Sequence, residues 1–528
     1  MHRRKNFVTP AATVLYRAAP LAGCVLGIAH GCGANLPSLA LLQVAAMTAL
    51  IAILFLAMSN KLPAISVLTA LAFSLSSAAA AHAWIYLSLA RDSALGAPLA
   101  TCVFAALVVG LALLPAASLM LGSALVTKNS SARFAPLALA AGYPLAEIAS
   151  AHLMGFSWHS IGYSALGTPL GELLPIIGVS GIAATSMLVC ALLAEWLTGW
   201  LCVSGTRKIL PWRGLAVLSS VVIGLALLSR TSYLVMTRPT SDPLRVRLLQ
   251  PAQPMYRKFD SMLIRQTTLQ LVALARSSRA HLIVTPETVL PHSWATLPTD
   301  LSEPLMSVVE NSDRIFLIGL FDMAGGGLVN VSNAVRANSR VVAPQRYAKR
   351  HLVPVAEQRT RGLAWVSDAL ALPFADRVAD RGDVTVFSTP RARIRTTICL
   401  DLAYGDDLSD TAASTDVLVN QSNLAALPGE RVRKQFLTIA RARALEQQKP
   451  VLLATNDGPT AAIDAAGHVL ASLPAGTAGA LETQIQPRRG TTWYAIFGAG
   501  IWIALLAIAA LATAIMPSTS RAFRNLTQ

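Results

Sequence analysis

One cysteine, Cys399, stands in the more polar part of the sequence, and its setting suits nucleophilic chemistry. The other five of the chain's 6 cysteines lie in apolar stretches, where a thiol packs as a small apolar side chain. The residues from Arg393 to Cys399 predict a strand, and α/β proteins collect their sites at the carboxyl ends of strands. A buried and unreactive thiol is the alternative interpretation of a lone cysteine.

A thiolate nucleophile needs a proton acceptor and a positive charge nearby. Glu287 closely follows another predicted strand, His281–Val284, and Lys349 follows a third strand-like run. A carboxylate together with a lysine could therefore activate Cys399. Taken singly, Glu287 is typical of a loop and Lys349 of a solvated surface. The histidines of this region stand in no pattern typical of a Cys/His protease.

The composition of the chain excludes a purely soluble enzyme. Of the 528 residues, 54% are hydrophobic and 13% are charged, whereas an ordinary soluble chain is about 25% charged. The mean hydropathy is +0.53. The net charge of +16 favours cytoplasmic loops and surfaces that face anionic lipid headgroups. Nucleic-acid binding is not expected, because no run of basic residues is interleaved with aromatic residues.

Apolar stretches long enough to cross roughly 30 Å of hydrocarbon fill the N-terminal part of the chain. We expect a membrane domain with seven transmembrane helices over 1–240, a globular domain over 241–489, and a C-terminal transmembrane helix with a tail over 490–528. The predicted spans are 18–34, 39–58, 63–89, 98–126, 134–153, 173–203, 214–236 and, after the globular domain, 493–516.

If the spans alternate in direction, the basic residues at their ends fall on one side of the membrane. The positive-inside rule assigns that side to the cytoplasm, so the globular domain is expected on the opposite face. These basic residues are Arg3, Arg4, Lys5, Lys61, Lys128, Arg133, Arg207, Lys208, Arg213, Arg521 and Arg524.

Within 241–489, short β-branched or aliphatic runs alternate with amphipathic helical patterns, which indicates an α/β architecture. A segment rich in Arg and Ala, 358–381, is expected to be an insertion. The predicted strands are 245–249, 281–284, 315–319, 393–399, 417–420 and 451–455, and the predicted helices are 266–276 and 432–447.

In the order Glu287, Lys349 and Cys399, the three segments resemble the nitrilase superfamily of carbon–nitrogen hydrolases, whose catalytic triad has these residue types in this order. The membrane spans narrow the resemblance to the apolipoprotein N-acyltransferase family. Its Pro-Glu-Thr-x-Leu-Pro motif resembles Pro286–Pro291, and its Lys-(Arg or Asn)-His-Leu-Val-Pro-x-x-Glu motif resembles Lys349–Glu357. Further stretches that resemble the family are 155–164, 178–181, 440–446 and 454–460.

The resemblance implies a multispanning α-helical membrane domain joined to a nitrilase-like α-β-β-α sandwich. It also implies that an acyl chain passes from a membrane phospholipid, through a thioester on Cys399, to the N-terminal α-amine of diacylglyceryl-cysteine in a lipoprotein. Glu287 would act as the base, Lys349 would stabilise the oxyanion, and Glu357 would orient Lys349 or assist the tetrahedral intermediate. No metal or organic cofactor is implied. The expected location is a bacterial inner membrane, with the catalytic domain facing the periplasm.

The sequence departs from the family at positions that are expected to bind substrate. Leu400 and Asp401 stand where the family usually has Tyr-Glu after the nucleophile, and the backbone N–H of Leu400 is expected to help hold the oxyanion. The loop 422–429, which contains Asn423, lacks an aromatic pair, and Phe259 replaces a Trp. Two alternatives stay open: a membrane-tethered amidase, in which water resolves the thioester, and a membrane binding protein without catalysis.

Overall fold

Long apolar helices form the N-terminal part of the computed structural model. They are α1 (Pro10–Gly33), α2 (Ala40–Ser59), α3 (Pro63–Ala81), α4 (Ala83–Asp92), α5 (Gly96–Ala124), α6 (Ala135–Met154) and α7 (Leu174–Cys202). The structure describes residues 10–92, 96–125, 135–155, 158–202, 224, 235–240, 242–254, 259–276, 278–310, 312–324, 326–340, 345–354, 357–358, 377–379, 385–427 and 429–515.

Within these residues, five segments are long and apolar enough to cross a membrane by length and composition. Side chains from α2, α3, α5, α6 and α7, among them Leu50, Phe73 and Leu139, pack into one buried cluster. The helices therefore pack together as a bundle. The five segments are Pro37–Ser59, Pro63–Ala81, Gly96–Ala124, Ala135–Met154 and Gly171–Gly199.

Two of the predicted spans differ from the helices that form. The span expected over 63–89 is divided at His82, where the backbone leaves the helical conformation with φ −111° and ψ 12°. The span expected over 493–516 becomes α11 (Trp493–Ile515), which is interrupted at Gly498 by a φ of 67°. A glycine tolerates this left-handed conformation at little cost. The span expected over 214–236 lies almost wholly outside the described residues.

Two six-stranded sheets form the globular part of the chain. In the first sheet the strand order is β13-β2-β3-β4-β5-β6, and in the second it is β12-β11-β10-β9-β8-β7. The strands of the first sheet are β2 (Leu244–Gln250), β3 (Leu282–Val284), β4 (Ile315–Ala324), β5 (Gly327–Val335), β6 (Gln345–Ala348) and β13 (Gly479–Ile485). Those of the second are β7 (Val386–Ser388), β8 (Arg393–Ile398), β9 (Val417–Ser422), β10 (Val451–Thr455), β11 (Thr460–Ile463) and β12 (Val469–Leu473).

The two sheets pack face to face and are covered by helices on their outer faces. Val246 and Leu282 of the first sheet share one buried cluster with Ile394 and Val419 of the second. Helices α8 (Ser261–Arg276) and α9 (Thr299–Met306) cover the first sheet, and α10 (Glu430–Gln447) covers the second. This arrangement confirms the predicted α-β-β-α sandwich beside a helical membrane region.

The central strands of both sheets are parallel, and three of them, β3, β4 and β10, have the nearly continuous apolar sequences expected of strands that are buried on both faces. β8, β9 and β10 pair in parallel, as do β2, β3 and β4. All six predicted strands and both predicted helices form, with ends that differ by a few residues. The predicted strand that ends in Cys399 stops one residue earlier, at Ile398.

Helix α10 also joins the sandwich to the membrane helices. The rings of Trp158 and Phe436 stack with their centroids 5.9 Å apart, and Trp158 Nε1 donates a hydrogen bond to Gln435 Oε1 over 3.0 Å. Gln435 Nε2 in turn donates to the carbonyl of Ala34, which follows α1. The outer helix of the second sheet therefore lies directly on the membrane region.

Candidate active site

Glu287 lies in the loop that follows β3, with its side chain 5% exposed. Its Oε1 accepts hydrogen bonds from Asn330 Nδ2 over 2.6 Å and from Lys349 Nζ over 2.9 Å, and its Oε2 accepts from the backbone N–H of Asn423 over 2.9 Å. The loop lies directly against β4 at Gly319, where a Cβ atom would stand 2.2 Å from the carbonyl oxygen of Pro286. Gly319 is therefore required for this close approach.

Lys349 directly follows β6 and is 1% exposed. Its Nζ lies 2.9 Å from Glu287 Oε1 and 2.9 Å from Glu357 Oε2. Glu357 also accepts from the backbone N–H of Val353 and pairs with Arg377. The structure thus collects two carboxylates and two cations in one buried cluster, where each charge has an opposite partner.

Cys399 lies directly after β8, at the start of a 3₁₀ helix over Cys399–Ala403. Its φ of 49° is in the left-handed region, which a non-glycine residue adopts at a cost of order 1 to 3 kcal/mol. Asn420 Nδ2 donates a hydrogen bond to the carbonyl of Cys399 over 3.2 Å, which holds the strained residue to the neighbouring strand β9. The side chain of Cys399 is half-buried and its thiol is free.

Asp401 connects the turn at Cys399 to the segment that carries Lys349. Its Oδ2 accepts from the backbone N–H of Ile398 over 3.0 Å and from the hydroxyl of Tyr347 over 2.9 Å. Its Oδ1 accepts from the backbone N–H of His351 over 2.8 Å. Because these bonds occupy a carboxylate that is 3% exposed, the geometry favours a positioning role for Asp401 over direct contact with a substrate.

The charges of this cluster control the protonation of its members. Burial would lower the pKa of Lys349, but the carboxylates of Glu287 and Glu357 outweigh it and hold the pKa above its ordinary value. Burial would likewise raise the pKa of Glu357, but Lys349 and Arg377 hold it below its usual range. Burial and the nearby carboxylate of Glu287 raise the pKa of the Cys399 thiol, and Lys349 opposes them. The resting arrangement is therefore a neutral thiol beside a lysine cation.

A cavity of about 20 Å³ opens beside Glu287. Leu263 and Ile264 of α8 form its apolar wall, and Asn423 and Asn456 line its polar side with Glu287. Asn456 Nδ2 donates a hydrogen bond to Asn423 Oδ1 over 3.3 Å, which holds the two side-chain amides together. A cavity of this volume would hold about one water molecule, or a nucleophile of similar size next to the carboxylate.

The other residues expected to bind substrate are placed differently. Leu400 is 2% exposed, and its side chain packs in the cluster beneath α10. Phe259 is 51% exposed before α8 and is not among the described residues that line the cavity at Glu287. Sequence reasoning missed Asn330, Arg377 and Tyr347. Arg377 had one signal, its place in the arginine-rich segment 358–381, which is expected to be an insertion and lies mostly outside the described residues.

Among the described residues, no group of three or more His, Cys, Asp or Glu side chains could hold a metal ion. The cluster combines a thiol on a strained turn with a buried carboxylate and a lysine cation, which are the kinds of group that nucleophilic catalysis uses.

The sequence of the chain is similar to those of known protein families. The sequence profile of the carbon-nitrogen hydrolase family matches residues 245–495, and that of the apolipoprotein N-acyltransferase N-terminal domain matches 27–192. The apolipoprotein N-acyltransferase of Bordetella bronchiseptica is 31% identical over 82% of this chain and 84% of its own length. The enzyme of the same name from Nitrosomonas europaea is 29% identical over 88% of this chain and 90% of its own length.

Among solved structures, the CN-hydrolase superfamily protein XC1258 from Xanthomonas campestris is similar to this chain at 19% identity, with a TM-score of 0.36. The match covers 52% of this chain and 98% of that one. The sequence relatives extend over both the membrane helices and the sandwich. The chain therefore belongs to the apolipoprotein N-acyltransferase family and is a multispanning membrane acyltransferase.

Proposed function

We propose that this protein transfers an acyl chain from a membrane phospholipid to the N-terminal α-amine of diacylglyceryl-cysteine in a lipoprotein. The observation that carries the proposal is the buried pair of Glu287 and Lys349, 2.9 Å apart, whose charges both act on the thiol of Cys399. The lipid surface suits both substrates, because each carries acyl chains that cost about 0.8 kcal/mol per CH₂ to expose to water.

In the first half-reaction, Glu287 takes the proton of the Cys399 thiol as the sulfur attacks the ester carbonyl of the phospholipid. The ammonium of Lys349 stabilises the oxyanion that develops, a contribution of roughly 3 to 4 kcal/mol for one donor in comparable sites. The carbon–oxygen bond of the ester then breaks. The lysophospholipid leaves with the proton from Glu287, and the acyl group remains on the sulfur as a thioester.

In the second half-reaction, the α-amine of the lipoprotein attacks the thioester. Glu287 now takes a proton from the amine, and the tetrahedral intermediate again places its negative oxygen beside Lys349. The carbon–sulfur bond breaks, the sulfur regains a proton, and the amide product leaves. Glu357 contacts Lys349 and not the substrate in this scheme, so its role is to hold the lysine in position.

Burial and the carboxylate of Glu287 raise the pKa of the Cys399 thiol, so the resting sulfur is expected to be protonated. A neutral thiol is a weak nucleophile, so proton transfer to Glu287 has to accompany attack on the carbonyl. We propose that this coupling restricts the reaction to esters that are seated beside Lys349.

We also propose the division into 1–240, 241–489 and 490–528, with the sandwich on the periplasmic face of the inner membrane. The basic residues at alternate loops support this orientation. A reporter that is active only outside the cytoplasm should therefore be active when fused after Thr240 and inactive when fused after Arg213. The reverse pattern would contradict the orientation.

The function itself is tested by complementation of a bacterial strain depleted of its own N-acyltransferase. Growth should be restored by the wild-type gene and not by Cys399→Ala, with N-acylated lipoproteins detected by mass spectrometry. Release of free fatty acid without N-acylated product would instead favour water as the acceptor. That outcome would identify a hydrolase, which the absence of aromatic residues in the loop 422–429 keeps as the competing candidate.

A further inference from the structure

Two arginines lie directly opposite each other in a small ribbon apart from the two large sheets. The strands β1 (Thr237–Pro239) and β14 (Arg488–Gly490) pair in antiparallel fashion, with Arg238 opposite Arg489. Cross-strand partners project to the same face of a ribbon, and like charges in this position destabilise it. The pair therefore needs negative charge on that face.

The carboxylates of the protein meet this need only in part. Asp416 is fully buried and accepts three hydrogen bonds from Arg393, and the guanidinium of Arg489 lies at the longer distance of 3.4 Å. Asp242 pairs with Arg391 at 3.5 Å. Within the described part of the chain, no carboxylate lies within ion-pair distance of Arg238.

A cavity of about 480 Å³ opens on this face of the ribbon. Among the described residues, its lining includes Arg238, Arg391 and Arg489, with Asp242 as the one acidic residue. These four charged residues give the described part of the lining a net charge of +2. Guanidinium groups bind phosphate oxygens in pairs, which makes such a cavity suited to a phosphate group.

The ribbon lies next to the start of the apolar helix α11. β14 ends at Gly490, and the apolar helix α11 begins at Trp493. Trp493 and Val235 are both more than half exposed, and exposed tryptophan is typical of the interface between lipid and water. The cavity thus opens where the headgroups of the surrounding lipids are expected.

The cavity is separate from the candidate active site. Arg391 precedes β8 and Asp416 precedes β9, so both lie at the starts of these strands. Cys399 lies at the opposite end of β8. The six residues of β8 separate the two ends by roughly 20 Å, at about 3.3 Å per residue. A molecule in the cavity is therefore not the ester that Cys399 attacks.

We propose that this cavity binds the phosphate headgroup of an anionic phospholipid in the leaflet where α11 begins. The headgroup places negative charge between Arg238 and Arg489, and its acyl chains remain in the bilayer beside α11. The bound lipid fixes the ribbon, and with it the junction between the sandwich and α11, at the membrane surface.

The test uses the full-length protein in nanodiscs of phosphatidylcholine mixed with phosphatidylglycerol. The lipids that stay bound after detergent extraction are measured by mass spectrometry, for wild type and for Arg238→Gln/Arg489→Gln. The control is Arg276→Gln, an exposed arginine on α8 that donates to Ser307. Loss of both ribbon arginines should lower the enrichment of phosphatidylglycerol among the bound lipids about 30-fold. This factor corresponds to about 1 kcal/mol of binding free energy for each arginine near a membrane surface.

A second measurement covers the case in which the double variant folds poorly. The variant Arg238→Lys/Arg489→Lys keeps the charge but loses the paired donors of the guanidinium groups, so it should keep more of the enrichment than the glutamine variant and less than the wild type. Phosphatidylglycerol should also raise the thermal midpoint of the wild type but not that of the glutamine variant. No enrichment in the wild type, or an equal loss in Arg276→Gln, would overturn the proposal. Displacement of the lipid by inorganic phosphate would show that free phosphate is the ligand and would overturn the lipid assignment.

Discussion

Nζ of Lys349 lies 2.9 Å from Oε1 of Glu287, and both side chains are almost completely buried. Glu357 and Arg377 extend this pair to four groups whose formal charges cancel. Charges interact strongly in such an environment, so each of them depends on the others to stay buried. The base and the oxyanion-stabilising group proposed for the reaction are therefore one electrostatic unit.

The first prediction concerns Lys349→Met. Removal of one partner from a buried ion pair leaves uncompensated charge, so we expect a loss of about 3 to 5 kcal/mol in folding stability. The double variant Lys349→Met/Glu287→Gln removes both partners and should recover much of that loss in a thermal unfolding experiment. Neither variant should recover acyl transfer. A Lys349→Met protein with near-normal turnover would contradict the oxyanion role of the lysine.

The second prediction concerns Asp401, which holds the Cys399 turn to the segment after Lys349. Hydrogen bonds to a charged group contribute about 1.5 to 3 kcal/mol, so Asp401→Asn should lower kcat roughly 10-fold to 100-fold. The KM for phospholipid should change little, because the carboxylate contacts only the protein. The control is Asp410→Asn, whose side chain is 66% exposed and lies 3.9 Å from Arg350. A rise in KM with unchanged kcat would instead support the substrate-binding role that the sequence suggested.

The order Glu, Lys, Cys and the parallel strands that carry these residues could be predicted because each signal is local. Glu287 and Cys399 both follow strands with apolar or β-branched sequences, and Lys349 follows the short strand β6. Asn330 and Arg377 could not be predicted. Asn330 reaches Glu287 only because β5 pairs with β4, and that pairing depends on the tertiary fold.

The departures from the family sequence are explained in part by the structure. The side chain of Asp401 is short enough to accept a hydrogen bond from the backbone N–H of Ile398 within the same turn. Its carboxylate is thereby turned into the protein, which sequence reasoning could not foresee from residue type alone. Phe259 was expected at the site because a Trp is usual there, yet the structure leaves it exposed before α8.

The third prediction concerns the buried pair of Arg443 and Glu446, 2.9 Å apart on α10. Glu446 Oε1 accepts a hydrogen bond from the backbone N–H of Val179 in α7 over 2.8 Å. The backbone carbonyl of Glu446 accepts a hydrogen bond from the hydroxyl of Thr492, which precedes α11. Glu446→Gln leaves Arg443 buried without its partner and should lower stability by about 3 to 5 kcal/mol.

The matched double variant Arg443→Met/Glu446→Gln should be more stable than Glu446→Gln alone, as measured by thermal unfolding in micelles. The control pair is Glu430 and Lys434, which lie on the same helix with exposed side chains 2.8 Å apart. Its double-mutant cycle should show no measurable coupling. Equal coupling energies in the two pairs would contradict the claim that burial makes the Arg443–Glu446 pair more important for stability than an exposed pair.

The fourth prediction is a pH dependence at Lys449. Burial lowers the pKa of Lys449 to about 8 from its ordinary value of 10.5, with Asp416 opposing the shift. Between these two values the unfolded chain binds more protons than the folded protein, so the contribution of Lys449 to stability rises with pH. The rise should total about 3 kcal/mol, at 1.36 kcal/mol for each pKa unit.

Lys449→Met removes the titrating group and is the direct comparison. The thermal midpoint of the wild type relative to Lys449→Met should therefore increase from pH 7 to pH 10. Taking the difference between the two thermal midpoints removes the contribution of the other titrating groups, because both proteins contain them. A constant difference over this range would show that Lys449 titrates normally in the folded protein.

The thioester on Cys399 is tested most directly by intact-protein mass spectrometry of purified protein mixed with phospholipid alone. A nucleophile that splits the transfer into two steps should accumulate its acyl-enzyme until an amine arrives, so we expect one added fatty acyl mass that neutral hydroxylamine removes. Cys399→Ala and Glu287→Ala should gain no such mass. A diacylated lipopeptide with a free N-terminus should discharge the acyl group, and its N-acetylated form should not. If the wild type stays unmodified with phospholipid yet transfers acyl chains when both substrates are present, the two-step account is wrong.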